Sequence, residues 1–221
     1  MIDEEESRQS LVDATRYVEA KGLNSGTSGN ISVRTPTGML ITPTGVAPSS
    51  LGPASMVEMS FDGIWSGGMR PSSEWSMHAA VYKAFPQAHA ISHAHPDHCV
   101  ALSCLREALP PFHYMIASFG GDDVPCSDYA LFGTDELAQA AVRALAERNT
   151  CLLANHGMIA YGPDLATALA RTEKLETLVK QYLLARSIGR PVMLTQQELD
   201  VVKARYKTYG QQERASAPSV A

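Results

Sequence analysis

The sequence predicts an α/β protein: a mixed sheet with helices on both faces. Three observations point there. Segments with helical apolar spacing intermix with short β-like runs. Those runs are often joined by short turns, whereas a parallel crossover needs a dozen or more residues. No repeat, low-complexity stretch or interior linker divides the 221 residues. One domain over residues 1–212 is therefore expected, with a flexible small-residue tail over 213–221.

A first helix is expected over about 4–21, with Leu11, Val12, Ala14, Tyr17, Val18 and Lys21 at helical spacing and Gly22 as its stop. GLNSGTSGN then reads as a polar loop. NISVR, MLIT and VEMS into GIWS read as strands, with the turn-rich PTGVAPSSL after MLIT. PSSE (71–74) opens a helix whose face is Met77, His78, Val81, Tyr82 and Phe85, and Pro86 ends it. HAISHAH is a strand, and Pro96 to Leu105 is a helix. Thr134 can cap a helix reaching about Arg148, with Leu137, Ala141, Val142 and Leu145 inward. CLLAN and MIAY are buried strand-like pieces around Asn155, His156 and Gly157. The longest helix runs from about Asp164 to Ile188, with Pro163 before it and Gly189 after. Thr195 and Glu198 form a capping-box pattern for a last helix reaching about Tyr209.

The composition excludes several classes. Hydrophobic residues are 45%, charged residues 19%, and the net charge is −5. That balance is globular, with no basic footprint for nucleic acid or an anionic membrane. No stretch approaches the ~18 apolar residues of a membrane span. The acidic start MIDEEESRQS does not look like a targeting leader. Cys99, Cys104, Cys126 and Cys151 form no CxxC pair and sit in apolar runs, so buried free thiols in a reducing, cytoplasmic setting are expected.

His93 and His95 are the sharpest chemical pair, because i and i+2 on a strand share a face and can reach one ion. His156 lies in a turn between two apolar segments, and Glu74 stands at a helix start. Three imidazoles and a carboxylate suit zinc or another borderline divalent metal. The competing reading is satisfied core histidines with a helix-capping glutamate. His78, His89, His98 and His113 are assigned to that plainer class. A second constellation is polar and small: SGTSGN (25–30), TPTG (42–45) and Ser72-Ser73. Gly-rich turns, hydroxyls and a helix N-terminus make an anion site without fixed charge, and turn chemistry alone explains any one of them. There is no GxxxxGK[ST], GxGxxG or GxSxG. Metal-assisted chemistry on a small phosphorylated substrate is the reading the residues favour.

GTSGNISVR, TPTG, PSSEWSMH, SHAHPDHCVAL, PFHYMIASFGG, PCSDYALFGT, LLANHGMIAYG and RYKTYG, in that order, make the chain resemble the class II aldolase family over about residues 5–212. The resemblance implies a three-layer α/β/α fold with a central, mixed, largely antiparallel sheet. It implies a homotetramer with active sites between subunits. It assigns Glu74, His93, His95 and His156 to Zn2+, and Gly29, Asn30, Thr44, Gly45, Ser72 and Ser73 to the substrate phosphate. Tyr114 becomes an acid/base reaching in from a neighbouring subunit, Phe132 a substrate wall, and Tyr209 part of a segment closing over the aldehyde.

The implied reaction is reversible cleavage of a ketose 1-phosphate, L-fuculose-1-phosphate-like, to dihydroxyacetone phosphate and an aldehyde such as L-lactaldehyde. Zinc would serve as the Lewis acid, Tyr114 would exchange the C4 hydroxyl proton, and Glu74 would move the proton at C1 of dihydroxyacetone phosphate. Alternatives are 5-deoxyribulose- or 5-methylthioribulose-1-phosphate as substrate, or a related sugar-phosphate epimerase, decarboxylase or dehydratase. Glu74 after Ser72-Ser73 favours aldolase over the epimerase branch, which has Asp there. The full ligand set disfavours an adducin-type interaction module. Pro96-Asp97 and Asn155 depart from the family pattern beside the ligands.

Overall fold

The computed structural model describes residues 4–209. The tail expected over 213–221 lies outside the described residues. In chain order the elements are α1 (Glu4–Ala20), β1 (Asn30–Arg34), β2 (Met39–Ile41), β3 (Val57–Met59), α2 (Trp75–Ala84), β4 (Ala90–Ala94), α3 (Asp97–Ser103), β5 (Cys126–Ser127), α4 (Asp135–Leu145), β6 (Thr150–Leu153), β7 (Gly157–Gly162), α5 (Leu165–Ile188) and α6 (Gln196–Tyr206). The seven strands form one sheet in the order β3-β2-β1-β4-β7-β6-β5. Every pairing is antiparallel except β5 with β6. The expected mixed sheet is therefore largely antiparallel.

Strand alternation sorts the side chains into two faces. Met39, Ile41, Ile91, Cys151, Leu153, Ile159 and Tyr161 face α2 and α4, meeting Met77, Val81, Leu137, Ala141 and Leu145. Ala94, Leu152, Met158 and Ala160 face α3 and α5, meeting Cys99, Leu102, Leu175, Leu178 and Val179. On that same side, Leu11, Val12, Ala14 and Val18 of α1 cover Ile31 and Leu40. Thr172 of α5 donates to the Ser92 hydroxyl at 3.0 Å, satisfying a polar pair inside the second layer.

Several element ends differ from the sequence expectation. α1 stops at Ala20, and Tyr17 and Lys21 stay exposed, Tyr17 because its hydroxyl donates to Glu173. α4 ends at Leu145 rather than Arg148, and α6 at Tyr206, with a turn through Tyr209. GIWS does not form a strand; Trp65 makes one isolated bridge to Met59. The two-residue β5 and 3-10 turns over Pro48–Ser50, Pro53–Ser55 and Tyr114–Phe119 add to the expected elements. Cys99 and Cys151 are buried, but Cys104 is exposed, one residue past α3.

The junction of β4 and β7 is tight. A Cβ on Gly157 would lie 2.5 Å from the Ala94 carbonyl oxygen and 2.8 Å from the His95 ring. Only glycine lets the two strands meet here. Gly157→Ala should therefore cost about 1–3 kcal/mol of stability through overpacking. A urea midpoint unchanged from the parent protein would contradict this.

Candidate active site and metal centre

Three places in the fold deliver the four metal-type ligands. β4 carries His93, and His95 follows one residue past its end. β7 lies antiparallel beside β4, with Ala94 opposite Met158 and His93 opposite Ile159. The turn entering β7 therefore sets His156 next to the pair. That turn is made by Asn155, at φ +54, in a left-handed conformation that Asn tolerates better than most residues. Glu74 precedes α2, yet its side chain caps nothing. It turns instead to the histidines, with Oε2 3.0 Å from His93 Nε2 and Oε1 3.4 Å from His156 Nε2.

One ligand atom from each of Glu74, His93, His95 and His156 lies within 4.8 Å of all the others. The three rings meet edge-on, with centroids 4.7–4.9 Å apart. His93 Nδ1 donates to the Met158 carbonyl at 2.8 Å. With one proton on the ring, His93 Nε2 is then a bare lone pair. It stands 2.9 Å from His95 Nε2 and 3.0 Å from the Glu74 carboxylate. Glu74 Oε1 is buried with no hydrogen-bond partner among the described residues. Lone pairs converging at such distances repel unless a cation lies between them. Separations near 3 Å are those of donors sharing one ion, since a tetrahedral zinc shell at ~2.0–2.1 Å spaces its ligands ~3.3 Å apart. The donor set fits zinc or a similar divalent metal.

The electrostatics agree. Burial lowers His95 to about 3 and His156 to about 4, helped by the neighbouring His93. Burial alone would raise Glu74, but His93, His156 and the Asn30 amide outweigh it and hold the carboxyl well below its usual range. Glu74 is thus ionised and His95 and His156 are neutral at neutral pH, the states metal binding requires.

A cavity of about 310 Å³ opens above the cluster. Gly29, Asn30, Thr44, Gly45, Ser72 and Ser73 line one side, together with Thr27 and Ser28. The loops are brought together by backbone bonds: Pro43 bridges Pro71, Ser72 N–H donates to the Thr42 carbonyl, and Thr44 N–H to that of Arg70. Among the described residues no Lys or Arg lines the cavity, so backbone N–H groups, hydroxyls and the start of α2 form its polar wall. Phe132 lines the same cavity with Tyr129, Leu131 and Asn155.

The chain does not bring Tyr114 or Tyr209 to this cavity. Tyr114 is 47% exposed and stacks on His113 at 4.7 Å. Tyr209 is 77% exposed beside Tyr206. α6 packs on the Tyr114–Phe119 turn, so the three tyrosines share one edge of the molecule. Of the plainer histidines, His98 pairs with Glu176 at 2.6 Å, His113 accepts from Met115 N–H, His89 is exposed, and His78 is fully buried and hydrogen-bonded. Asn24 was not singled out from the sequence. Its Oδ1 accepts the His95 N–H at 2.7 Å and so fixes the backbone of a ligand. Its place in the Gly/Ser/Asn-rich loop was the only available signal.

The family model for the class II aldolase and adducin N-terminal domain matches residues 9–183, and the chain belongs to this family. It is a class II aldolase, a lyase of a metal-dependent class. A 5-methylthioribulose-1-phosphate/5-deoxyribulose-1-phosphate aldolase of Rhodospirillum rubrum is 41% identical, covering 96% of each chain. An L-fuculose phosphate aldolase of Escherichia coli is 42% identical, covering 90% of this chain and 94% of that one. A solved L-fuculose 1-phosphate aldolase superposes with a TM-score of 0.87 at 38% identity, covering 91% of this chain and 96% of the other.

The histidine values imply acid sensitivity of the metal-free chain. His78 and His95, near 3, and His156, near 4, all lie below the ordinary 6.5. Between those limits the unfolded chain binds protons that the folded chain refuses, so stability is full above about pH 6.5 and falls as pH drops through the window. Denaturant unfolding at pH 5 should show a loss of about 2 kcal/mol from fully buried His78 alone, relative to pH 7.5. Stability that is flat from pH 7.5 to 5 would contradict the buried, neutral rings.

Proposed function

We propose that the protein is a zinc-dependent aldolase that reversibly cleaves an L-fuculose-1-phosphate-like ketose 1-phosphate to dihydroxyacetone phosphate and an aldehyde such as L-lactaldehyde. The observation that carries this is one cavity lined by two unlike sets of residues. Glu74, His95 and His156 of the ligand cluster line it, with His93 buried beside them, and uncharged anion-type loops line it too.

Gly29, Asn30, Thr44, Gly45, Ser72 and Ser73 hold the phosphate. Binding energy at that non-reacting end orients the reacting carbons. Glu74, His93, His95 and His156 would hold the zinc, which when bound would supply Lewis acidity for the charge that develops as C3–C4 breaks. Glu74 moves the proton at the hydroxymethyl carbon of dihydroxyacetone phosphate. Tyr114 takes the C4 hydroxyl proton in cleavage and returns it in synthesis.

Because Tyr114 is exposed and away from its own chain's cavity, it acts across a subunit boundary. This supports a homotetramer with shared sites. Exposed Leu184, Ile188, Val192, Met193 and Val201 offer apolar surface for such assembly. Phe132 walls the aldehyde side, and Tyr209 closes over it. Four unpaired cysteines suit a reducing compartment such as the cytoplasm. Among the described residues no helix is long and apolar enough to cross a membrane.

A second substrate reading has its own support. The Rhodospirillum rubrum relative is matched over a larger share of both chains than the Escherichia coli one. This favours 5-methylthioribulose- or 5-deoxyribulose-1-phosphate.

The test is a coupled assay of dihydroxyacetone phosphate release from L-fuculose-, L-rhamnulose-, 5-deoxyribulose- and 5-methylthioribulose-1-phosphate, with and without a chelator. Chelator-sensitive release is expected, and the ranking of kcat/KM names the aldehyde. Glu74→Gln should lower kcat by at least ~100-fold, the scale of general acid–base catalysis, while inhibition by inorganic phosphate changes little. Zinc-loaded protein that releases no triose phosphate from any of the four moves the assignment to the epimerase, decarboxylase or dehydratase branch.

A further inference from the structure

A buried chain of hydrogen bonds runs from Tyr82 through Ser32, His78 and Asn30 to Glu74. The links are Tyr82 Oη to Ser32 Oγ at 2.9 Å, Ser32 Oγ to His78 Nδ1 at 2.7 Å, His78 Nε2 to Asn30 Oδ1 at 2.6 Å, and Asn30 Nδ2 to Glu74 Oε2 at 3.0 Å. Relative exposures are 1% for Tyr82, 0% for Ser32 and His78, 5% for Asn30 and 6% for Glu74. Water therefore does not complete these bonds. The fold explains the alignment: Asn30 and Ser32 share one face of β1, and His78 and Tyr82 lie one turn apart on α2.

Chemistry fixes the direction of every link. The Glu74 carboxylate only accepts, so the Asn30 amide must present its N–H there and its carbonyl oxygen to His78. His78 Nε2 must then carry the proton. Burial keeps this ring neutral, with its value lowered to about 3, so Nδ1 is a bare acceptor. Ser32 donates to Nδ1, which leaves the Ser32 oxygen to accept from Tyr82. The chain has one polarity from end to end.

We propose that His78 is a positioning residue for Glu74: its Nε2–H locks the Asn30 amide so that Nδ2–H holds Glu74 Oε2 and leaves the unpartnered Oε1 for the metal site. Asn30 serves the carboxylate with its side chain, in addition to lining the phosphate side of the cavity. Without the lock the amide is free to turn over, setting its oxygen against the carboxylate. Glu74 would then lose both its orientation and a hydrogen bond. The inference rests on the metal-site role given to Glu74 above, but not on the sugar cleaved nor on aldol cleavage as the reaction.

The test compares two amides at position 78. His78→Gln can place an N–H near the old Nε2 and keep the lock. His78→Asn can reach only toward Ser32 and loses it. Zinc affinity is measured by chelator competition, and kcat and KM on the zinc-loaded enzyme. His78→Asn should weaken zinc binding or lower kcat by ~10–100-fold, the usual cost of removing a ligand's supporting partner, with KM changed little. His78→Gln should recover most of that loss. Equal behaviour of the two variants, or a loss confined to KM, overturns the proposal. The zinc arm needs no substrate, so its failure is distinguishable from a wrong reaction assignment.

A second measurement needs no variant. Nitrogen NMR of ¹⁵N-histidine-labelled, zinc-loaded protein should show His78 as the neutral tautomer protonated at Nε2. Protonation at Nδ1 alone would reverse the chain and sink the proposal.

Discussion

The constraint on which the site depends is a crowd of lone pairs. Glu74 Oε1 and Oε2 and the Nε2 atoms of His93, His95 and His156 lie together, Glu74 and His93 buried and His95 and His156 partly so. Left to themselves these acceptors repel, and burial removes the solvent that would soften the repulsion. A folded chain that holds them together must stabilise the arrangement elsewhere and resolve it with a cation. The hydrogen-bond partners that surround the cluster all serve this end. The Met158 carbonyl fixes the His93 tautomer, Asn24 fixes the His95 backbone, and Asn30 fixes Glu74. These are the outer partners that orient ligands and set their basicity.

The sheet supplies the rigidity. β4 and β7 are central, buried and antiparallel, so the short distance from His93 to His156 is a matter of register. A slip by one residue would send His93 into the layer under α5. Helix α2 contributes twice: its start presents Glu74 and the serine pair to the cavity, and its first two turns carry the His78–Tyr82 support. The small polar loops and the ligand cluster are thus mounted on the same helix and on adjacent strands. Orientation of a substrate between them then costs little further ordering.

Much of this was legible in the sequence, for local reasons. Helical spacing from Leu11 to Val18, the Thr134 and Thr195 caps, and the Gly22 and Gly189 stops depend on neighbours within a few residues. The same holds for the His93-Ala94-His95 spacing and for Asn155-His156-Gly157. Features needing long-range pairing were not legible. β5 is two residues long and exists because Cys126 and Ser127 align with β6, which leaves no periodicity to read. The 3-10 turn at Tyr114 packs against α6, a neighbour distant in sequence. His78 was read as a satisfied core histidine, and it is one. What the sequence does not reveal is that its partner, Asn30, also touches Glu74, because that requires β1 and α2 to be in place. Asn24 escaped notice for the same reason.

Calorimetric titration of zinc into metal-free protein at pH 7, repeated in buffers of different protonation enthalpy, tests the central claim most directly. With His95 and His156 neutral and Glu74 ionised, one ion should bind per chain with release of at most one proton. No zinc binding at micromolar concentrations, or release of two or more protons per ion, would contradict the account.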